Sequence, residues 1–446
     1  MSISQTNQYL DSLLNYELTP PVSFQKAFTL DRIRCLLEIL GNPQDKLKII
    51  HVAGSKGKGS TCAMTAEILK AGGYRVGLYT SPHFDNYRER IRILDKDFPR
   101  RISQDIFSDC ISARDLERSI AAIKPAVDKI HEKKSLGALT FFEVMTALAF
   151  CYFLEQKVHF VVLETGLGGR LDATNVASSL VCVITPISLE HTQWLGETIP
   201  EITREKAGII KNANQRVVLA PQPNDAQKVL IQQCRKYSIV PVVVGRDIKP
   251  DHRISNLGLL GAHQRVNAMT AIGICECLQK LGFKIDESAV SLGLKRVYWP
   301  GRFEVISKDP TIILDGAHNE DSARRLASTV KEIYPKKKVI LVWGVSEDKA
   351  WRSIARELRS VVKSVVFTKA EHPRALEVAM KDLKAQFPGQ DVSIVKNVAL
   401  AFKKVSTELR KDDIILVTGS IFLVAEARRL FVKRSQNTRI SDGEFR

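Results

Sequence analysis

The run Ile49-Ile50-His51-Val52-Ala53-Gly54-Ser55-Lys56-Gly57-Lys58-Gly59-Ser60 decides the fold. Ile49 to Ala53 is a short β-branched run, a helical period extends from Thr61 to Lys70, and a second apolar run covers Val76 to Thr80. Strand, glycine-rich turn, helix and strand in that order predict the opening unit of a parallel sheet. The turn also carries chemistry. Glycines let backbone N–H groups approach an anion, the start of the helix adds positive potential, and Lys58 can neutralise phosphate oxygens. The usual phosphate loop places a hydroxyl directly after its lysine, whereas here Gly59 intervenes before Ser60. The residues alone leave a chance glycine-rich turn as the alternative.

Outward from this unit the same alternation continues. Apolar runs at Val161 to Glu164, Val181 to Thr185, Val217 to Ala220 and Val240 to Val244 are interleaved with helical stretches at Glu143 to Leu154 and Gln264 to Leu281. They predict one large α/β domain over 1–296. The segment 297–301 contains Pro300, which fixes its own backbone, and Gly301, which frees the next, so it reads as a linker or hinge. Beyond it, strands are expected at Thr311 to Leu314, Val339 to Trp343, Val365 to Thr368, Val392 to Val395 and Ile414 to Val417, with helices between. The expected fold is thus α/β throughout: a large N-terminal P-loop-type parallel-sheet domain and a smaller, doubly wound, Rossmann-like domain over 302–446.

Composition excludes other classes. With 446 residues, 44% hydrophobic and 26% charged, the chain is too apolar for disorder and long enough for two or three domains. The longest largely apolar stretch, Val144 to Leu154, falls short of the roughly 20 residues of a bilayer span. Met1 to Gln25 is polar and carries Asp11 and Glu17, unlike an export signal. The eight scattered cysteines read as buried cytosolic thiols rather than disulfides or a zinc site. A cytoplasmic protein without membrane partners is expected. The net charge of +17 favours anionic partners, and nucleotides, polyanionic metabolites and nucleic acid all fit that sign. Arg428, Arg429, Lys433 and Arg434 share the final helical pattern and read as a solvated face.

The inserted Gly59 makes the loop similar to that of the folylpolyglutamate synthase and dihydrofolate synthase family, a branch of the Mur-type amide ligases. Further blocks resemble that family in its order: Thr80-Ser81-Pro82-His83, Leu139-Thr140-Phe141-Phe142-Glu143, and Glu164-Thr165-Gly166-Leu167-Gly168-Gly169-Arg170-Leu171-Asp172-Ala173-Thr174-Asn175. Leu189-Glu190-His191, Arg204-Glu205-Lys206-Ala207-Gly208-Ile209, Pro300-Gly301-Arg302-Phe303-Glu304 and Asp315-Gly316-Ala317-His318-Asn319 follow, and the resemblance covers about residues 24 to 430. It implies ATP-dependent ligation of L-glutamate to dihydropteroate, to folate polyglutamates, or to both, through an acyl phosphate, by a monomer.

The resemblance also implies a site. ATP would be held by Gly54, Ser55, Lys56, Gly57, Lys58, Gly59 and Ser60, and by Asn267, Arg302, Asp315 and His318, in a cleft between the domains. Ser81, Glu164, His191 and a carbamylated Lys206 would hold two magnesium ions, and the family leaves room for a monovalent cation. Lys58, Glu164, His191 and Lys206 would be catalytic. Ser81, Pro82, His83, Thr140, Phe142, Asp172 and Ala173 would face the pterin-bearing substrate.

Read without the family, Glu164 sits at the carboxyl end of the apolar run Phe160 to Leu163, where open α/β sheets bind ligands, and suits a cation. It also reads as a capping glutamate, and His191 as a satisfied histidine. Lys206 also reads as a helix-surface lysine, Phe141 and Phe142 as core, and Asp315 or Asn319 as a helix cap.

Two other functions fit the sequence less well. A muropeptide ligase of the same superfamily is disfavoured by Gly59 and by Leu167-Gly168-Gly169-Arg170-Leu171-Asp172. A nucleic-acid-stimulated NTPase needs a basic, aromatic-lined track that the sequence lacks. One departure stands out: the family's common loop has threonine and asparagine where this chain has Ser55 and Lys56, placing an extra cation beside the phosphates.

Overall fold

The computed structural model describes residues 2–17, 28–96, 108–133 and 136–437, the last six by backbone alone. The chain forms two compact units. One comprises Met1–Gly258 and Gln264–Val297, the other Leu259–His263 and Tyr298–Arg446.

The first unit is built on seven strands: β1 (Ile49–Ala53), β2 (Val76–Tyr79), β3 (Ile91–Leu94), β4 (Phe160–Glu164), β5 (Ser179–Ile184), β6 (Arg216–Leu219) and β7 (Val242–Val243). Their order is β3-β2-β4-β1-β5-β6-β7. β1 and β4 are buried along their whole length, as a parallel strand covered on both faces must be. Their register sets Val52 beside Glu164, while Ala53 pairs with Ile184 of β5. The carboxyl ends of β1, β4 and β5 therefore finish level, and the chain crosses β1 on its way from β4 to β5. That crossover opens the crevice where such sheets bind ligands.

The Phe141–Glu155 helix is apolar nearly all round and lies in the core, and the Lys58–Ala71 helix is buried along most of its length although it carries Ser60, Thr61 and Thr65. Phe150 and Phe153 are fully buried, each contributing about 1.5–3 kcal/mol by area. Phe141 is likewise core, whereas Phe142 is only partly covered.

The second unit has six strands: β8 (Glu304–Lys308), β9 (Thr311–Leu314), β10 (Lys338–Trp343), β11 (Val362–Phe367), β12 (Asp391–Ile394) and β13 (Asp413–Thr418), ordered β12-β11-β10-β13-β9-β8. Buried Trp343 centres its core, edge-on to Phe367 at 5.5 Å and Phe387 at 5.7 Å.

The structure departs from the sequence reading in four places. β3 and β8 are antiparallel edge strands that were not expected. The strand expected at Val240 shortens to Val242–Val243, because Val240 is 88% exposed. The first helix of the sheet starts at Lys58, ahead of Thr61. Arg428 is not on a solvated face. Its Nε donates to Glu304 Oε1 at 3.0 Å and its Nη2 to the Tyr298 hydroxyl at 2.6 Å. Tyr298 itself donates to Glu304, whose second oxygen accepts the Gly301 N–H at 2.9 Å. Within 297–301, Tyr298 and Gly301 are thus tied into the second unit. Lys433 and Arg434 lie beyond the described side chains.

Candidate functional site

The phosphate loop is held open by two glycines. At Gly54, with φ +146°, a Cβ would stand 1.9 Å from Thr185 Oγ1. At Gly57, with φ +85°, it would stand 2.3 Å from Asn267 Oδ1. Asn267 is buried and donates to Gln264 Oε1 at 2.9 Å, so the residue expected to touch ATP already packs beneath the loop. The N–H groups of Ser55 and Lys56 both donate to the Pro186 carbonyl at 3.1 Å. Gly57 caps the helix, which places Gly59 and Ser60 in its first turn at the positive end of the helix dipole.

Lysines converge on this loop. Lys58 Nζ donates to the Gly54 carbonyl at 3.2 Å, and Lys206 Nζ donates to the same oxygen at 2.9 Å. Lys206 is no surface lysine: it is 2% exposed, on the inner side of the Ile199–Ala207 helix. Its ammonium pairs with Glu190 Oε1 at 2.9 Å, and Lys56 lies 3.6 Å from Glu190 Oε2. Burial pushes the Lys206 pKa down to about 8, Glu190 opposing and Lys58 assisting. Glu190 is held at about 2: burial acts to raise it, but the charges of Lys206, Lys58 and Lys56 prevail. Glu190 carries no sign of this role in the sequence, since Lys206 reaches it from a separate helix and Lys56 from the phosphate loop.

Glu164 ends β4 in the same crevice, 4% exposed, and its Oε2 accepts the Ser81 N–H at 3.2 Å. A buried carboxylate beside a serine suits a hard cation whose remaining ligands are phosphate oxygens and water. His191 is exposed, in a left-handed conformation at the head of the Thr192–Leu195 turn. Among the described residues no three His, Cys, Asp or Glu side chains gather as a metal cluster.

Of the residues expected to face the pterin, Thr140 and Phe142 lie at the start of the Phe141–Glu155 helix, Asp172 and Ala173 in the loop after β4, and Ser81, Pro82 and His83 in the loop after β2. The Thr140 hydroxyl accepts the Glu143 N–H at 3.2 Å, and Glu143 accepts the Thr140 N–H at 2.7 Å and pairs with Arg32 at 3.1 Å, so Thr140 serves as the helix cap. The Phe142 ring covers Gly166, where a Cβ would stand 2.7 Å from its Cζ. Asp172 is buried and accepts four hydrogen bonds: from the N–H of Gly166 at 2.9 Å, of Leu167 at 2.8 Å and of Thr174 at 3.0 Å, and from the Thr174 hydroxyl. Its carboxylate braces the turn that carries Ala173, which is itself buried against the core rather than exposed as a substrate contact would be.

Thr174 Oγ1 also lies 2.8 Å from Nε2 of the fully buried His51. Because Thr174 donates to Asp172, its oxygen accepts from His51 Nε2–H. Burial holds the His51 pKa down at about 3, and the imidazole is neutral. Pro82 is exposed and His83 partly so.

In the second unit, Asp315 accepts the N–H of Phe303 at 2.8 Å and of Ala317 at 2.9 Å. His318 Nδ1 lies 2.9 Å from the Gly316 carbonyl, and an Arg302 Nη1 lies 2.7 Å from where a Gly316 Cβ would be. Arg302, Asp315 and His318 are thus gathered around Gly316. The helix Glu320–Ile333 is capped by Asn319 through Ser322, leaving Asp315 free of that duty.

Comparison with known proteins identifies the family. Residues 301–421 match the Mur ligase, glutamate ligase domain. Over 424 residues the chain is 33% identical to the dihydrofolate synthase/folylpolyglutamate synthase of Bacillus subtilis, covering 90% of this chain and 94% of that one. Mycobacterium tuberculosis folylpolyglutamate synthase complexed with ADP and AMPPCP matches with TM-score 0.83 and 30% identity over 96% of this chain and 98% of that one. An Escherichia coli structure in complex with DHPP and ADP matches with TM-score 0.79 and 28% identity over 99% of each chain. Shared identity along nearly the full length of the Bacillus relative, with the phosphate loop, Glu164 and Lys206 gathered at one crevice, establishes that this chain belongs to the folylpolyglutamate synthase/dihydrofolate synthase family.

Proposed function

We infer that this chain is an ATP-dependent amide ligase that adds L-glutamate to dihydropteroate and to folate polyglutamates. The observation that carries the reading is the meeting of phosphate loop, Lys58, Lys206 and the buried Glu164 at the level carboxyl ends of β1 and β4. The acceptor carboxylate attacks the γ-phosphorus as the bond to ADP breaks, giving an acyl phosphate. The glutamate amine then adds to the acyl carbon, and phosphate leaves from the tetrahedral intermediate. Lys58 and the loop N–H groups would offset the charge that develops in the first step.

Glu164 and Ser81, with His191 drawn in, are proposed to hold magnesium, which when bound neutralises phosphate charge. Lys206 is proposed to be carbamylated as a ligand for a second ion. Its depressed pKa favours the neutral amine that carbamylation requires, and forming the carbamate means parting the 2.9 Å pair with Glu190. No residue is assigned to a monovalent cation. Arg302, Asp315 and His318 are proposed as the second unit's contribution to ATP, and Phe142 and the Ala173 turn as the pterin contacts.

The described residues contain no helix long and apolar enough to cross a membrane. Free thiols at all eight cysteines support a cytoplasmic setting. A monomer is proposed, as the family resemblance implies. The test is ATP turnover on purified protein with glutamate and either dihydropteroate or tetrahydrofolate. Turnover with both is expected, turnover with one alone reduces the enzyme to a single activity, and turnover driven by polynucleotide instead would overturn the reading.

A further inference from the structure

Arg90 is 0% exposed, and each of its three guanidinium nitrogens donates a hydrogen bond. Nη1 and Nη2 donate to the two oxygens of Glu17 at 2.8 and 2.5 Å, Nε donates to His83 Nδ1 at 3.0 Å, and Cζ lies 4.9 Å from the Phe141 ring centroid. Arginine remains protonated in proteins and can only donate, so Nδ1 of His83 must accept and the imidazole proton must sit on Nε2. The ring is also held edge-on to Tyr87 at 4.9 Å, and Tyr87 in turn packs on Phe141 at 5.2 Å. His83 thus has one nitrogen committed to a locked arginine, while the residue is partly exposed and Nε2 has no acceptor among the described residues. The ring stands two residues beyond Ser81, whose N–H binds Glu164, and both its neighbours, Tyr87 and Arg90, pack on Phe141, the residue that precedes Phe142.

We propose that His83 donates its Nε2–H to an acceptor atom of the pterin-bearing substrate, and that Arg90 is a positioning residue that fixes the tautomer and ring direction making this donation available. The ligand class is an oxygen or ring-nitrogen lone pair on that substrate. The proposal rests on the functional reading above for the substrate's identity. Its physical core, a histidine whose tautomer is dictated by a buried arginine, is independent of that reading.

The test uses the full-length enzyme carrying 15N-histidine, with the His83 signals assigned by their loss in His83→Gln. Long-range proton–nitrogen spectra should show the Nε2–H tautomer for His83 in the wild type and lose that preference in Arg90→Met. In kinetics, His83→Phe should raise KM for the pterin acceptor about tenfold, the scale of one lost hydrogen bond, and leave KM for ATP within about twofold. His83→Gln, whose amide N–H reaches a similar point, should recover most of that loss. An Nδ1–H tautomer in the wild type, or an equal rise in both KM values, would overturn the proposal. Wild-type enzyme inactive with both acceptors would remove the functional reading and this substrate with it. Activity with both, and a His83→Phe variant indistinguishable from wild type, would remove the present proposal alone.

Discussion

Gly57→Ala isolates the loop geometry on which nucleotide binding depends. The substitution forces an L-residue to hold φ +85°, which costs about 1–2 kcal/mol, and sets its Cβ 2.3 Å from Asn267 Oδ1. Asn267 cannot swing aside, being 4% exposed and bonded to the 1% exposed Gln264, so the loop itself must move by about 1 Å, a shift that can cost a hundredfold. ATP affinity should therefore fall by about 2–3 kcal/mol, or roughly 30- to 150-fold. Gly73 supplies the control. It has φ +86° at the far end of the same helix but no atom within 4 Å of its virtual Cβ, so Gly73→Ala pays only the backbone cost. Isothermal titration with a non-hydrolysable ATP analogue distinguishes them. Both variants should lose stability, and only Gly57→Ala should lose affinity. Wild-type affinity in Gly57→Ala, or an equal loss in Gly73→Ala, would refute the argument.

Lys58→Ala and Glu164→Gln should each lower kcat/KM by more than about 3 kcal/mol of transition-state stabilisation while circular dichroism shows the folded protein, because one removes a cation from the phosphates and the other a formal charge from the metal position. Glu304→Gln leaves buried Arg428 without its carboxylate, and urea denaturation should show a loss of about 3–5 kcal/mol. His51, neutral when folded with a pKa near 3 against 6.5 for the free side chain, takes up its proton only in the unfolded chain between those values. Stability should then fall as pH drops below about 6.5, and the slope in His51→Gln should be smaller by about 1.4 kcal/mol per pH unit.

What the sequence made legible was whatever depends on local pattern. β1, β4 and the core strands of the second unit are β-branched runs buried on both faces, so hydrophobicity alone announces them, and the Gly54 to Ser60 turn declares an anion site through residue type and order. β3 and β8 escaped because short edge strands carry charged residues such as Arg92 and Glu304. Partnerships across distance were invisible: Glu190 gains its role from Lys206 and Lys56, Arg90 from Glu17 at 73 residues' separation, and His51 from Thr174 at 123. Arg428 was misjudged for the same reason, since a basic helix face reads as solvated until a buried carboxylate is known to meet it. Lys206 reads as a surface lysine by composition, and only the fold shows it inside.

An acyl phosphate carries a carboxylate oxygen onto phosphorus, and isotope transfer detects that step. Dihydropteroate labelled with 18O in its carboxylate, incubated with the enzyme, ATP and L-glutamate, should yield inorganic phosphate carrying one 18O for each amide formed, because the carboxylate oxygen leaves on the phosphorus. Amide product accompanied by unlabelled phosphate would contradict the account.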